Sequence, residues 1–408
     1  MPRSAYLHPF ASPASSEFVT IVRGEGAAVF DDQGRRYVDG LASLWYSNVG
    51  HGRAEIADAV AAQLRTLDAF NTFDRFTNEP CEELAATISS LAPMPDARVF
   101  FTCSGSEAVD SAIKLARISH VLREEPRRVL VVSRRNSYHG VTYGGLSAQG
   151  LEYNRAGFGP FVEGFLRVAH DDLGELEALL ATRGDEVALV LAEPVMAGGG
   201  VIPPEPGYLE GLRRLADEHR TLLGFDEVVC GFGRLGAWWG GDHYGVTPDL
   251  VTFAKGVTSG YQPLGGVILG RKLLDPLEAD PAFVLRHGHT YSGHPACCAA
   301  GSKAIEITRR EDLLARAKDV GARLGDGLRQ LAGAGLVSAA RGDGAVWAAQ
   351  LHPEDDPRVV RAGMERRGVI ARPLPPDTLA FCPPLVINDE DIDRCVSALE
   401  GALTERRR

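Results

Sequence analysis

The chain has 408 residues, 45% hydrophobic and 24% charged, a folded-protein composition long enough for two or three domains. Its 43 lysines and arginines against 54 aspartates and glutamates leave a formal charge of −11, which argues against a nucleic-acid or anionic-membrane binder, since both need a basic face. No run approaches the roughly 18 apolar residues that a membrane span requires, so no membrane partner is expected.

The opening MPRSAYLHPFASPASSEF carries an arginine but no apolar core of a secretory signal. Next, VTIVRGEGAAVFDDQGRRYVDG alternates apolar and polar residues about Asp31-Asp32-Gln33-Gly34, which predicts β-hairpin material. From about Arg98 to Gly270 short continuous apolar runs recur, at Val99-Phe100-Phe101, Val129–Val132, Val187–Ala192, Leu222–Phe225, Leu250–Phe253 and Val267–Leu269. Strands without alternation are buried on both faces, so these predict an α/β fold with a large, mostly parallel sheet covered by helices. Glu107–Arg117 and Tyr208–His219 carry apolar residues at helical spacing. After Pro295 a long helical stretch, short strands at Val337–Ala340 and Ala345–Leu351, and a final helix at Asp389–Glu400 predict a smaller α+β domain. The expected division is an N-terminal segment (1–48) contributing to the small domain, a large domain (49–295) and the C-terminal small domain (296–408). A site is expected in the crevice at the carboxyl ends of the large sheet's strands. The seven cysteines (Cys81, Cys103, Cys230, Cys297, Cys298, Cys382, Cys395) form no CxxC pair, which suits reduced thiols in a cytoplasm and neither a disulfide framework nor a metal site.

Three motifs have ordinary readings. Gly231-Phe232-Gly233-Arg234-Leu235-Gly236 fits a dinucleotide fingerprint, but Ala237-Trp238-Trp239-Gly240-Gly241 is a poor helix start and the context fails. Ser111-Ala112-Ile113-Lys114 fits SxxK but lies mid-helix without its companion motifs, so a solvated helix face is expected. His287, His289 and His294 match no metal spacing and read as loop histidines.

Three others combine into chemistry. In Thr102-Cys103-Ser104-Gly105-Ser106-Glu107, Ser104 and Glu107 make a capping box, and the helix start with its Gly105 turn and Ser106 hydroxyl can also hold a phosphate. Asp226 ends a buried strand, where a carboxylate is costly unless it meets a cation such as a protonated ring nitrogen. Lys255 ends another, where desolvation turns an amine into a nucleophile toward carbonyls. A phosphate cradle, a buried-strand aspartate and a strand-end lysine together are what pyridoxal phosphate requires.

These residues sit in SGSEAVDSAIKLAR (104–117), SYHG (137–140), AEPVMAGGG (192–200), GFDEVVCGFGRLG (224–236), PDLVTFAKGVTSGYQPLGG (248–266) and HGHTYSGHP (287–295). From about Val19 to Ile387 the chain resembles the class III, pyridoxal-phosphate-dependent aminotransferases. The resemblance implies the fold type I, aspartate-aminotransferase-like fold and a homodimer with active sites at the subunit interface. It implies that Lys255 holds the cofactor aldehyde and shuttles the proton between substrate and cofactor carbons. Asp226 would pair with the pyridine nitrogen, Val228 and Tyr138 would cover the two ring faces, and Gly105 and Ser106 would bind the phosphate. Thr290 would reach the phosphate of the partner subunit's cofactor, and Glu193 would line the site. Trp45 and Asn48-Val49-Gly50-His51-Gly52, together with TYSGHP, are similar to the ω-transaminases, which pass an amino group from an amine donor to pyruvate. In that subgroup Trp45 and Tyr138 would wall the substrate pocket and Arg372 would be a mobile arginine for the keto-acid carboxylate. Both ends look shorter than is usual there, and Met196-Ala197 replaces a glutamine-containing stretch; both differences bear on pocket size and specificity. A racemase, epimerase or aminomutase on the same fold is the alternative, because all begin by breaking the same class of bond.

Overall fold

The computed structural model describes residues 5–406. β1 (Ile21–Glu25), β2 (Ala28–Asp31) and β3 (Arg36–Asp39) form an antiparallel meander that contains the expected hairpin, β2-β3. Asp31 closes the turn between β2 and β3 by accepting from the backbone N–H groups of Gln33 and Arg35 at 3.0 and 2.8 Å. β4 (Arg98–Thr102), β5 (Leu130–Arg134), β6 (Phe165–Val168), β7 (Val187–Ala192), β8 (Leu222–Asp226), β9 (Leu250–Phe253) and β10 (Gly265–Leu269) build a seven-stranded sheet. β11 (Ala339–Asp343), β12 (Val346–Gln350), β13 (Val369–Ile370), β14 (Arg372–Leu374) and β15 (Thr378–Phe381) follow.

The large sheet runs β4-β10-β9-β8-β7-β5-β6, parallel throughout except at β10, which opposes both of its neighbours. β4 therefore points the same way as β5, β7, β8 and β9. β5, β7, β8, β9 and β10 are buried at every position, which is why their sequences show runs rather than alternation. β6 was not legible: it is a partly exposed edge strand whose apolar run is interrupted by Arg167.

Alternate residues of the central strands serve opposite faces. Leu189 and Leu191 of β7 pack with Ala108, Ala112 and Leu115 of the helix Gly105–Leu122. Val190 packs on the other side with Leu209, Leu212 and Leu215 of the helix Tyr208–Glu218. Each of these leucines and valines contributes about 1.5–3 kcal/mol by leaving water, and each alanine less.

The stretch after Pro295 is two helices, Pro295–Arg310 and Leu313–Gly333, broken where Asp312 adopts a left-handed φ of 48°. The last helix, Asp389–Arg406, runs further than the sequence pattern suggested. β11-β12-β15-β14 form a third sheet, and β13 pairs in parallel with β3. One core joins Val38 and Val49 to Leu324, Leu328, Val369, Phe381 and Leu399. β13, β14 and β15 have two to four residues each, beside Pro373, Pro375 and Pro376, and leave no periodic signal. Among the described residues, no helix is long and apolar enough to cross a membrane.

Candidate active site

Because β4, β5, β7, β8 and β9 share a direction, their carboxyl ends lie at one edge of the sheet. β4 leads into Ser104-Gly105-Ser106, β5 into Tyr138 and His139, and β7 into Glu193; β8 ends on Asp226, and β9 leads into Lys255. The large sheet thus brings together most of the residues singled out from sequence.

At the end of β4, Ser104 Oγ accepts from the Glu107 N–H at 3.2 Å, as a capping box requires. The reciprocal arm reaches one residue further, with Glu107 Oε2 accepting from the Cys103 N–H at 2.7 Å. The Ser106 hydroxyl accepts from the Val141 N–H at 3.0 Å, which leaves its own proton to donate elsewhere. Gly140 makes this approach possible: it has φ 100°, and a Cβ there would lie 2.5 Å from Ser106 Oγ. A Cβ on Gly105 would lie 2.9 and 3.0 Å from the two methyls of Val228. Gly105→Ala is therefore expected to cost about 1–3 kcal/mol of stability and to weaken cofactor binding, with Val228→Ala restoring part of both. Thermal unfolding with and without pyridoxal phosphate measures it; an unchanged variant would show that the two segments are not in contact.

Asp226 is buried and held at both oxygens. His139 Nδ1 lies 2.8 Å from Oδ2 and must be the donor to a carboxylate, and the Val228 N–H donates to Oδ1 at 3.2 Å. His139 Nε2 is buried and has no hydrogen-bond partner among the described residues. Reading the sequence missed His139. Its signal was only its place beside Tyr138 in SYHG, because β5 and β8 are not neighbours and His139 reaches Asp226 past β7.

Glu193 is buried and accepts from the backbone N–H groups of Tyr138 at 2.9 Å and Ala197 at 3.2 Å. Burial pushes its carboxyl up to about 7, with His139 pulling down and Asp226 pushing up. It fixes the backbone that presents Tyr138, whose ring side passes Gly198 so closely that a Cβ there would sit 2.9 Å from Tyr138 Cβ. The half-buried Tyr138 phenol is raised by burial and by Asp226 and lowered by Arg372, so it feels the charge of both groups.

Lys255 follows β9 with φ 48°, in a short 3₁₀ turn. Burial lowers its ammonium pKa, while Asp226 and Glu193 oppose that shift. Its Nζ makes no hydrogen bond or ion pair with the described residues. The following Gly256 packs on Asn48, whose Nδ2 would lie 2.7 Å from an added Cβ. Asn48 Oδ1 in turn accepts from Arg234 at 2.6 Å, and Arg234, fully buried, also donates to the carbonyls of Pro383 and Ala345 at 2.7 and 3.2 Å. The glycine-rich GFGRLG thus opens no helix and instead ties the lysine turn to two distant segments.

Arg372 on β14 is half-buried, and its side chain makes no ion pair or hydrogen bond with the described residues, so a surface salt bridge with them is not its role. Burial lowers its pKa, while the phenols of Tyr138 and Tyr153 act in the other direction. Trp45 is 6% exposed and packs with Leu41, Val195, Ala197 and Leu374. Its segment is strained, with Ala42, Ser43 and Trp45 at φ 48°, 58° and 67°. Asp39 braces it by accepting from the N–H groups of Leu41 and Ser43 at 3.1 and 2.6 Å. Thr290 is exposed, on the loop that leads into the helix Pro295–Arg310, and makes no hydrogen bond with the described residues. The expectation for the SxxK stretch is corrected. Ser111 faces the interior, fully buried, because two loop histidines close over it.

The donor set fits pyridoxal phosphate. It offers an unpartnered amine of lowered basicity, a braced buried carboxylate in electrostatic reach of that amine, an aromatic ring, and a helix start with a free-to-donate serine.

A model of the aminotransferase class-III family matches residues 10–403. The beta-alanine–pyruvate aminotransferase of Pseudomonas aeruginosa is 38% identical, over 94% of this chain and 91% of its own. The putrescine–pyruvate aminotransferase of the same organism is 35% identical, over 94% and 90%. An amine transaminase from an uncultivated Pseudomonas species, solved with pyridoxal phosphate bound, superposes with a TM-score of 0.95 at 34% identity, covering 98% of this chain and 99% of that one.

Proposed function

The chain belongs to the class III, pyridoxal-phosphate-dependent aminotransferases, and from that premise we propose that it moves an amino group from a primary amine or ω-amino acid to pyruvate. The observation that carries the keto-acid half is Arg372, a half-buried guanidinium that forms no ion pair with the described residues and lies within electrostatic reach of the Tyr138 phenol. A carboxylate would satisfy it through two parallel hydrogen bonds, and its long stem lets it turn aside for an apolar amine. Two relatives whose names give pyruvate as acceptor support the choice.

Pyridoxal phosphate, when bound, supplies an aldehyde that takes up the amino group and a ring that stores the electron pair left when the donor's C–H bond breaks. Lys255 Nζ is the group that would hold the aldehyde between turnovers and, once released, would carry the proton between the donor and cofactor carbons. Burial, which lowers its ammonium pKa, favours the neutral amine that this role needs. Asp226, braced by His139 and the Val228 N–H, holds the ring nitrogen in its protonated form. Ser106 and the helix start hold the phosphate, and Tyr138 with Val228 confines the ring. Trp45 and Tyr138 border the substrate.

The enzyme works as a homodimer in which Thr290 reaches the partner's cofactor phosphate. Phe70, Phe73, Phe76 and Tyr291 support this, being 50%, 46%, 45% and 64% exposed in the single chain. Phe73 also packs under Gly288 of the loop that carries Thr290.

Arg372→Leu is expected to raise KM for pyruvate about 100-fold while the half-reaction with benzylamine, which has no carboxylate, keeps its rate. Stopped-flow spectra of the two half-reactions read these separately. An equal loss in both halves would remove Arg372 from carboxylate binding, and racemisation of a chiral donor such as (S)-1-phenylethylamine with no alanine formed from pyruvate would overturn the transaminase reading.

A further inference from the structure

Two stretches without a role in the chemistry meet in the fold. The hydroxyl of Ser111, in the helix that starts at the phosphate cradle, lies between His287 Nε2 at 2.9 Å and His289 Nε2 at 3.1 Å. One turn further along that helix, Lys114 Nζ lies 2.9 Å from His287 Nδ1. His289 Nδ1 faces Glu107 Oε1 at 4.0 Å, so the series ends on the residue that caps the cradle.

Donor arithmetic sets the direction of this series. An ammonium only donates, so His287 Nδ1 accepts and its ring proton sits on Nε2, pointing at Ser111 Oγ. The single Ser111 proton then goes to His289 Nε2, which leaves the His289 proton on Nδ1, toward Glu107. Burial, Lys114 and His289 push His287 down to about 4, which keeps it in the neutral form this order needs. The His287 ring also stacks on Phe100 of β4, with centroids 5.1 Å apart.

The loop is fastened on the far side of Thr290 as well. Ser292 Oγ donates to the Phe101 carbonyl at 2.8 Å, and Asn78 Nδ2 donates to the Gly293 carbonyl at 2.9 Å. Thr290 is thus the exposed crest between two anchored flanks, one of which is the Ser111 series.

We propose that Ser111 and Lys114 are positioning residues, whose hydrogen-bond series through His287 and His289 sets the pose of Thr290 and with it the retention of the cofactor phosphate in the partner subunit. The inference rests on the reading that Thr290 meets that phosphate across a subunit interface.

The test is the rate at which holoenzyme loses pyridoxal phosphate on dilution, followed by its visible absorbance. Losing one hydrogen bond in the series is expected to speed release about tenfold in Ser111→Ala, and about threefold in Lys114→Met, whose exposed position leaves folding intact. Thr290→Ala is expected to speed release at least as much, and Ser111→Ala to add nothing once Thr290 is gone. If Thr290→Ala speeds release but Ser111→Ala and Lys114→Met do not, or if their effects persist undiminished in the Thr290→Ala background, the positioning role is overturned while the reading of Thr290 stands. If Thr290→Ala leaves release unchanged, that reading falls and the inference falls with it.

Discussion

Lys255→Ala is expected to reduce turnover by at least about 10⁴-fold, because one side chain acts both as nucleophile and as carrier of the transferred proton. Nothing else at the site can take over. Among the described residues the amine has no hydrogen-bond partner that could serve as a second base, and the nearby carboxyls, Asp226 and Glu193, are already engaged by His139, Val228, Tyr138 and Ala197. Lys255→Arg should fail equally, since a guanidinium stays protonated and cannot attack a carbonyl. The fold should survive, because Gly256 keeps its packing on Asn48 and the turn is held by Arg234. Single-turnover absorbance with a donor amine, with and without an added small primary amine, checks this. A variant that turns over at the original rate would remove Lys255 from the mechanism, whereas partial recovery by the added amine would assign its deficit to the missing base.

Asp226→Asn is expected to lower kcat about 10²–10³-fold with little change in KM for pyruvate, the size of effect seen when one preorganised electrostatic partner is lost. The amide keeps the shape of the carboxylate but not its charge, and it presents an NH₂ group where His139 Nδ1 now donates at 2.8 Å or the Val228 N–H at 3.2 Å. The pyridine nitrogen then loses the partner that keeps it protonated, and the ring stores the electron pair poorly. An α-deuterated donor gives the discriminating readout: the isotope effect on kcat should grow as breaking the C–H bond becomes limiting. A large loss of rate without a larger isotope effect would move the function of Asp226 to binding or release.

His139 belongs to the same prediction as the residue that orients Asp226. Its ring nitrogen Nδ1 fixes one carboxylate oxygen, and its buried Nε2 has no partner among the described residues. His139→Leu should reproduce part of the Asp226→Asn effect, and the isotope experiment applies to it unchanged.

The sequence by itself determined what depends on neighbours along the chain. Ser104 and Glu107 signalled a helix start because capping works over three residues, and the structure keeps that cap, shifted by one residue on the return arm. Continuous runs such as Val187–Ala192 signalled buried strands, because burial on both faces removes alternation locally. Asp226 and Lys255 could be placed at strand ends on the same grounds. The partly exposed β6 and the proline-flanked strands β13, β14 and β15 escaped because their segments are too short or too interrupted to carry a period.

Only the tertiary structure decided which of these ends face one another. Strand order sets β5 and β8 on either side of β7, and that places His139 on Asp226. The closing of the 283–294 loop over the helix Gly105–Leu122 buries Ser111 between two histidines, where local pattern suggested a solvated face. Arg372 feels the field of Tyr138 although β14 belongs to a different sheet and comes much later in the chain. The physical reason is the same in each case: hydrogen-bonded turns and burial periods act over a few residues, whereas contacts between distant segments depend on sheet order and loop closure, which no local period records.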